Sequence, residues 1–272
     1  MSNTASGAHR TIDIDGVKIA LTDEGSGSPI VLLHGFPLNR RMWDPQRETL
    51  AAHARVIAID LRGHGDSDAP LWRYSMDQFS DDVIAVLDHL GLAQATILGL
   101  SMGGYVALAL ARRHATRVRA LVLMDTRAQA DTPEGRAGRF RMAQAAHTQG
   151  PSAVADTMLP KLLAPATLTD RPQLVQQVRA MIERMAVSGI AGDLMAMADR
   201  SDSTSVLATI VCPTLIVVGE QDQATPPADA RYMAERIPHA RLTIVPGAGH
   251  LPNLESPQIV NETVITFLAS LA

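Results

Sequence analysis

The stretch Gly99-Leu100-Ser101-Met102-Gly103 decides how the rest of this chain is interpreted. It follows a short apolar run at residues 96–98 and leads into an Ala- and Leu-rich segment at residues 104–111. A Gly-x-Ser-x-Gly motif between a strand and a helix makes a sharp, strained turn, because its glycines remove Cβ atoms that would collide. The serine hydroxyl then stands clear of the backbone. The motif therefore predicts that Ser101 is a nucleophile.

Short apolar runs bounded by turn residues recur along the chain and predict the strands of one sheet. Most of them do not alternate with polar residues, which is typical of strands covered on both faces, as in a parallel sheet. The first two runs flank Asp15-Gly16 and predict a β-hairpin. The eight predicted strands are residues 12–14, 17–21, 30–33, 56–59, 96–98, 121–124, 215–218 and 242–245.

Helical patterns separate several of these runs and predict a doubly wound α/β sheet with right-handed connections. One pattern places apolar residues at helical spacing along residues 79–90, and Ser75 with Gln78 is a candidate capping box at its start. The other helices predicted around the sheet are the segment after Ser101, residues 228–236 and residues 259–268.

Residues 128–207 break this alternation, because they contain helical patterns but no convincing strand. Pro172 fits the first turn of one of these helices, with Asp170 as its N-cap. Since the interval lies between two strands, it should fold over the strand ends. We therefore expect a core domain of residues 1–127 and 208–272 and a helical cap of residues 128–207. Four methionines of the cap are considered: Met181, Met185, Met195 and Met197. We expect most of them to pack the cap helices together and one or two to line an acyl pocket.

A serine nucleophile needs a base within hydrogen-bond reach and an acid that orients the base. The candidate base is His250, which follows the strand at 242–245 in a loop of small residues. The candidate acid is Asp222, which follows the strand at 215–218. The order Ser101, Asp222, His250 is the one that this class of elbow motif requires. Two alternative acids remain: Asp125, which follows the strand at 121–124, and the weaker candidate Glu220.

The oxyanion of a tetrahedral intermediate needs two preorganised N–H donors. One is expected from Met102, the residue after the nucleophile, and the other from Phe36 in the loop that follows the strand at 30–33. Gly35 permits an unusual turn there, and the Phe36 ring is also a candidate pocket wall. His34 is expected to tie this loop to its neighbours rather than to act in catalysis.

Composition and charge exclude several classes of protein. The 272 residues suffice for one α/β domain with an insertion, and a net charge of −4 lacks the basic footprint of nucleic-acid and anionic-membrane binders. No segment approaches the roughly 20 apolar residues of a membrane span. The first residues have no basic or apolar signal region, which predicts a cytoplasmic protein. Cys212, the single cysteine, is expected to be a small buried hydrophobe rather than a reactive thiol.

Five ordered motifs together make the chain resemble the α/β-hydrolase superfamily over nearly its whole length outside the cap. They are His34-Gly35, the stretch from Asp60 to Ser67, Gly99 to Gly104, Gly219-Glu220-Gln221-Asp222, and Gly249-His250. The resemblance implies a mostly parallel eight-stranded sheet with helices on both faces and a helical cap inserted between strands 6 and 7. It also implies that the stretch from Asp60 to Ser67 is a structural loop, so that Arg62 and His64 are not catalytic.

Within the superfamily the chain is similar to small capped esterases and to 3-oxoadipate enol-lactonase-like proteins. The leading hypothesis is hydrolysis of small carboxylic esters through an acyl-enzyme on Ser101, with no metal or organic cofactor. Lactone opening is an alternative that would need a cationic anchor, for which the candidates are Arg127, Arg136 and Arg139. A cofactor-free perhydrolase, a carbon–carbon bond hydrolase and a ligand sensor with little turnover remain open. The expected partner is a small-molecule ester or lactone. The sequence pattern does not indicate which oligomeric state the protein adopts.

Overall fold

Eight strands form one sheet in the computed structural model, which describes residues 8–271. They are β1 (Ala8–Ile14), β2 (Val17–Gly25), β3 (Pro29–Leu33), β4 (Arg55–Ile59), β5 (Ala95–Leu100), β6 (Val118–Met124), β7 (Thr214–Gly219) and β8 (Arg241–Val245). Their order is β1-β2-β4-β3-β5-β6-β7-β8, and among these described strands only the pairs β1–β2 and β2–β4 are antiparallel. The prediction of a mostly parallel sheet is confirmed.

The turn between β1 and β2 shows how the local sequence sets the register of the sheet edge. Asp15 has φ 51° and Gly16 has φ 84°, and Ile14 pairs directly with Val17. Two successive positive φ angles are typical of the two-residue hairpin turn whose twist matches that of its strands. The hairpin predicted from Asp15-Gly16 is therefore confirmed.

Helices pack on both faces of the sheet, which explains why β5 and β7 are buried along their whole length. Those outside the interval between β6 and β7 are α1 (Asp44–Leu50), α2 (Met76–His89), α3 (Met102–Arg113), α10 (Pro227–Ala234), α11 (Pro252–Glu255) and α12 (Pro257–Ala269). The Ser75 hydroxyl accepts a 3.0 Å hydrogen bond from the Gln78 N–H, which confirms Ser75 as the N-cap of α2.

Six helices lie between β6 and β7 and are called the inserted helices below. They are α4 (Pro133–Gln149), α5 (Pro151–Leu162), α6 (Pro165–Asp170), α7 (Pro172–Glu183), α8 (Val187–Ala198) and α9 (Thr204–Leu207). The prediction of Asp170 as an N-cap is wrong. Asp170 ends α6, a short helix that the sequence pattern did not reveal, and Arg171 occupies the N-cap position of α7 without a side-chain capping bond.

The methionines of the inserted helices mostly pack as core. Met181, Met185 and Met197 are buried, and Met195 is partly buried against the same apolar cluster. Cys212 departs from its prediction, because it is half-buried rather than buried. Burial nevertheless raises the pKa of the Cys212 thiol, which disfavours the reactive thiolate.

Helix α8 docks on the loop that follows β4, and two glycines allow the close approach. A Cβ atom on Gly189 would collide with the carbonyl oxygen of Gly63. His64 Nε2 then lies 2.7 Å from Asp193 Oδ2, and both side chains are fully shielded from solvent. Burial by itself would lower the pKa of His64, but the Asp193 carboxylate outweighs burial and raises it. His64 thus joins an inserted helix to the sheet.

Candidate active site

The predicted site residues follow neighbouring strands at one edge of the sheet. Ser101 follows β5, Asp125 follows β6, Asp222 lies three residues beyond β7, and the loop after β8 carries His250. These four strands are consecutive in the sheet and parallel to one another, so their carboxyl ends meet. The carboxyl edge of an open α/β sheet is the usual position of a ligand site.

Ser101 has a backbone conformation that non-glycine residues rarely adopt, with φ 54° and ψ −112°. Glycines make room for it on both sides. A Cβ atom on Gly99 would collide with the carbonyl of Gly103, and a Cβ atom on Gly103 would collide with the carbonyl oxygen of Leu33. The Ser101 N–H donates to the Met124 carbonyl at 2.9 Å, which fixes the strained turn to β6. The predicted elbow between strand and helix is present.

Asp222 and His250 are brought into direct contact. His250 Nδ1 lies 2.8 Å from Asp222 Oδ2, and both residues are buried. Asp222 Oδ2 also accepts a 2.7 Å hydrogen bond from the Thr225 hydroxyl, and its Oδ1 accepts bonds from the backbone N–H groups of Ala224 and Thr225. The Asp222 carboxylate is therefore fully engaged and oriented toward the imidazole.

The electrostatics of Asp222 favour a negative charge facing His250. Burial alone would raise the pKa of the Asp222 carboxyl, but the charge of His250 and the hydrogen bonds from His250 and Thr225 outweigh burial and lower it. An ionised carboxylate can only accept, so His250 Nδ1 carries the proton. With the proton of the neutral ring on Nδ1, the lone pair would lie on Nε2, as a general base requires.

The Ser101 hydroxyl and the His250 ring are not hydrogen-bonded to each other in the part of the chain that the structure describes. Backbone contacts nevertheless connect the loops that carry them. The Thr126 hydroxyl donates to the Ser101 carbonyl at 2.8 Å, the Asp125 N–H donates to the Val217 carbonyl in β7, and Gly219 approaches the His250 loop. Bonds between nucleophile and base are often long in a free enzyme and tighten when substrate binds.

Asp125, the alternative acid, is buried behind Asp222. One polar atom from each of Asp125, Asp222 and His250 lies within 4.8 Å of the other two. Asp125 Oδ1 accepts a 2.8 Å hydrogen bond from the Gly219 N–H. Burial, reinforced by the nearby Asp222 charge, raises the pKa of Asp125 well above its ordinary value. The pKa values of the two carboxyls are thus shifted in opposite directions, that of Asp222 lowered and that of Asp125 raised.

Glu220, the weaker alternative, does not face the imidazole. Its Oε2 atom accepts a 2.9 Å hydrogen bond from the Gly247 N–H in the turn that leads to His250. Thr225 was missed by the sequence reasoning, although its spacing of three residues after Asp222 is the signal of a side chain that can bond back to a carboxylate.

The loop after β3 lies against the nucleophile. A Cβ atom on Gly35 would crowd the side chains of Leu100 and Ser101, so the loop can pass this closely only with glycine there. In residues 8–271, neither the Phe36 N–H nor the Met102 N–H donates a hydrogen bond to another group of the chain. The expected role of these two N–H groups as oxyanion donors stays a prediction.

His34 holds this loop in place. Its Nε2 atom accepts a 3.0 Å hydrogen bond from the Leu61 N–H, and its Nδ1 atom faces the Gly35 carbonyl at 3.2 Å. Burial, with a further contribution from His64, lowers the pKa of His34 well below its ordinary value, so the ring is neutral. These contacts agree with a structural role for His34.

The three arginines considered as substrate anchors are engaged with protein acceptors. Arg136 pairs with Asp199, Arg139 pairs with Asp131, and Arg127 bonds to the Ala224 carbonyl and lies 3.5 Å from Asp229.

A separate cleft of about 420 Å³ lies between the segment 39–44 and helix α7 and is lined in part by Met181 and Met185.

Comparison with known proteins identifies the family. The family described as the alpha/beta hydrolase fold matches residues 28–257. This chain belongs to the α/β-hydrolase family. The family membership, the elbow at Ser101 and the topology of the sheet agree with one another. Within the described residues of this α/β-hydrolase, no helix has the length and apolar character needed to cross a membrane.

Several relatives of this α/β-hydrolase carry functional names. It is 33% identical over 235 residues to 3-oxoadipate enol-lactonase 2 of Acinetobacter baylyi, covering 86% of each chain. A thermophilic esterase from Thermogutta terrifontis, solved with malate bound, is 38% identical with a TM-score of 0.93 and coverage of 98% and 99%. The enol-lactonase of Burkholderia xenovorans is 32% identical with a TM-score of 0.90 and coverage of 96% and 100%.

Proposed function

We propose that this carboxylic ester hydrolase cleaves esters of small acyl compounds through an acyl-enzyme on Ser101, with His250 as general base and Asp222 as the acid that orients it. The observation that carries the proposal is the 2.8 Å contact between His250 Nδ1 and Asp222 Oδ2, at the same edge of the sheet as the strained Ser101 turn. The esterase and enol-lactonase relatives support the same reaction class.

In the acylation step, Ser101 Oγ attacks the ester carbonyl while His250 Nε2 takes its proton. Asp222 holds the Nδ1–H tautomer and stabilises the imidazolium that forms. The N–H groups of Phe36 and Met102 receive the oxyanion. One such preorganised donor contributes about 10²–10³ in rate.

To complete acylation, the His250 imidazolium gives its proton to the leaving alkoxide. The alcohol departs, and a water molecule that gives its proton to His250 attacks the acyl carbonyl. Collapse of the second tetrahedral intermediate returns the proton to Ser101 and releases the carboxylic acid. Every proton movement uses a group of this chain, so the reaction as proposed calls for no cofactor.

Replacing Ser101 tests this assignment directly. Ser101→Ala should abolish turnover of p-nitrophenyl butyrate and leave thermal unfolding nearly unchanged, because only the hydroxyl is lost. Ser205→Ala is the matched control, since Ser205 is exposed on α9, and it should retain full activity. Turnover near the wild-type rate in Ser101→Ala would remove Ser101 from the mechanism.

Lactone opening is the second candidate, and the two enol-lactonase relatives favour it. It would use the same nucleophile and base on a cyclic ester. The arginines considered as anchors for a substrate carboxylate already have acidic neighbours: Arg127 lies 3.5 Å from Asp229, and Arg136 and Arg139 pair with Asp199 and Asp131. Side-by-side kcat/KM values for an enol-lactone and a simple aryl ester decide between the two substrate classes.

Two further functions, a perhydrolase and a ligand sensor, can each be distinguished from ester hydrolysis by experiment. A cofactor-free perhydrolase would brominate monochlorodimedone in the presence of acetate and peroxide. A ligand sensor would bind esters with almost no turnover, and ligand binding would change the stability of its cap. We propose that the cap comprises residues 128–207 and that the core comprises residues 1–127 and 208–272. We also propose a cytoplasmic location, which suits a chain with one cysteine and is tested by cell fractionation.

A further inference from the structure

Glu255 is a buried acid that the proposed reaction does not use. It ends α11, five residues after His250, and is 8% exposed. A buried carboxylate is costly unless its oxygens are satisfied by donors. The donors that satisfy Glu255 come from two different parts of the fold, so the Glu255 side chain links those parts.

One oxygen of Glu255 holds the loop of the proposed base. Its Oε1 atom accepts a 2.8 Å hydrogen bond from the Gly249 N–H, directly before His250. The other oxygen holds the inserted helices. Its Oε2 atom accepts from the Ala164 N–H at 2.9 Å and from the Thr167 hydroxyl at 2.6 Å, both in buried surroundings.

Close backbone packing accompanies these bonds. A Cβ atom on Gly249 would collide with the Ala164 nitrogen and crowd the carbonyl carbon of Leu163. Arg171, which lies between α6 and α7, donates to the Glu255 carbonyl at 2.7 Å. The opposite end of α11 is bound to the core instead, because the Asn253 side chain donates to the Met42 carbonyl at 2.8 Å.

We propose that Glu255 is a positioning residue that couples docking of the inserted segment 163–167 to the placement of His250. While the segment is docked, both Glu255 oxygens are satisfied and Gly249 is held against Ala164. When the segment lifts, Glu255 loses two of its three donors and the loop of the base loses the backbone it packs on. The inference rests on the proposed function for its catalytic consequence, but the coupling itself is a property of these contacts.

Thr167→Val tests the coupling from the side of the inserted helices, at a residue with no part in the proposed reaction. It removes one charge-assisted hydrogen bond with little change in shape, and it should lower kcat for p-nitrophenyl butyrate by about tenfold with little change in KM. Amide hydrogen exchange in the peptide that carries Gly249 and His250 should become faster. Thr167→Ser keeps the donor and should restore both readouts. Thr169→Val is the matched control, because Thr169 is an exposed residue of the same helix that bonds only within it.

Glu255→Gln tests the same coupling from the other side. An amide has one acceptor oxygen, so it cannot accept from Gly249 and from the Ala164–Thr167 pair at once, and kcat should fall further than in Thr167→Val. A kcat and an exchange rate that both stay at wild-type values in Thr167→Val would overturn the proposal. A wild-type protein that turns over no ester, with exchange that still responds to Thr167→Val, would instead overturn the proposed function and leave the coupling standing.

Discussion

Asp125 Oδ1 accepts a 2.8 Å hydrogen bond from the N–H of Gly219, and this bond ties the Asp125 carboxyl to the end of β7. Asp222 occupies the position beside His250 Nδ1. The site therefore contains two buried acids whose pKa values are shifted in opposite directions, lowered for Asp222 and raised for Asp125. Their different surroundings allow each to be tested separately.

The assignment of Asp222 as the acid of the triad predicts unequal effects of two matched substitutions. Asp222→Asn should lower kcat/KM for p-nitrophenyl butyrate by about 10²–10⁴, because the amide no longer stabilises the imidazolium or enforces its tautomer. Asp125→Asn should stay within a few-fold of wild type, since the raised pKa of Asp125 favours the neutral acid, which an amide resembles. A larger loss in Asp125→Asn than in Asp222→Asn would exchange their roles.

The raised pKa of Asp125 predicts how stability depends on pH. Above about pH 3.8, the ordinary pKa of an aspartate, the unfolded chain releases the proton that the folded protein keeps on Asp125. The folded state then binds more protons, so the free energy of unfolding falls as pH rises toward the folded-state pKa. Asp125→Asn removes this contribution. Urea titrations at several pH values should show wild type losing stability relative to Asp125→Asn as pH rises, and parallel curves would contradict the prediction.

The close approach of the acid and histidine loops predicts that Gly219 cannot carry a side chain. A Cβ atom there would collide with the Gly249 carbonyl oxygen, and the next nearest atoms also belong to the Ala248–Gly249 backbone, which leaves little room to relax. Gly219→Ala should cost about 1–3 kcal/mol of stability and most of the activity. The control is Gly138→Ala on α4, where the nearest atom is 3.8 Å away; it should be neutral or slightly stabilising. Equal melting temperatures for the two variants would show that the contact is unimportant.

The buried pair of His64 and Asp193 predicts that docking of α8 is pH-dependent. Because Asp193 raises the pKa of His64, the stabilisation is fully present below the ordinary pKa of 6.5 and is lost as pH rises through the folded-state value. Asp193→Asn should cost about 1–3 kcal/mol near pH 6 and less near pH 9. Denaturant unfolding of both proteins at the two pH values measures this difference. A cost that does not shrink with pH would mean that the pair carries no charge.

The strands and the turn at Ser101 could be predicted because their signals are local. Ser101 lies in a turn that needs glycine at fixed positions, and the runs that became β5 and β7 are apolar because both of their faces are covered. Helix α6 was not predicted, since six residues carry too few turns for a periodic pattern. The N-cap expected at Asp170 failed for the same reason.

The sequence by itself determined the order of the strands, the strained turn at Ser101, and the positions of Asp125, Asp222 and His250 after successive strands, because each depends on residue types at short spacings. Only the tertiary structure decided which aspartate faces His250, that His64 pairs with Asp193, and that Glu255 bridges Gly249 to Ala164 and Thr167. Those choices depend on contacts between residues far apart in the chain, where burial and hydrogen bonding set both geometry and charge, and no local pattern records them.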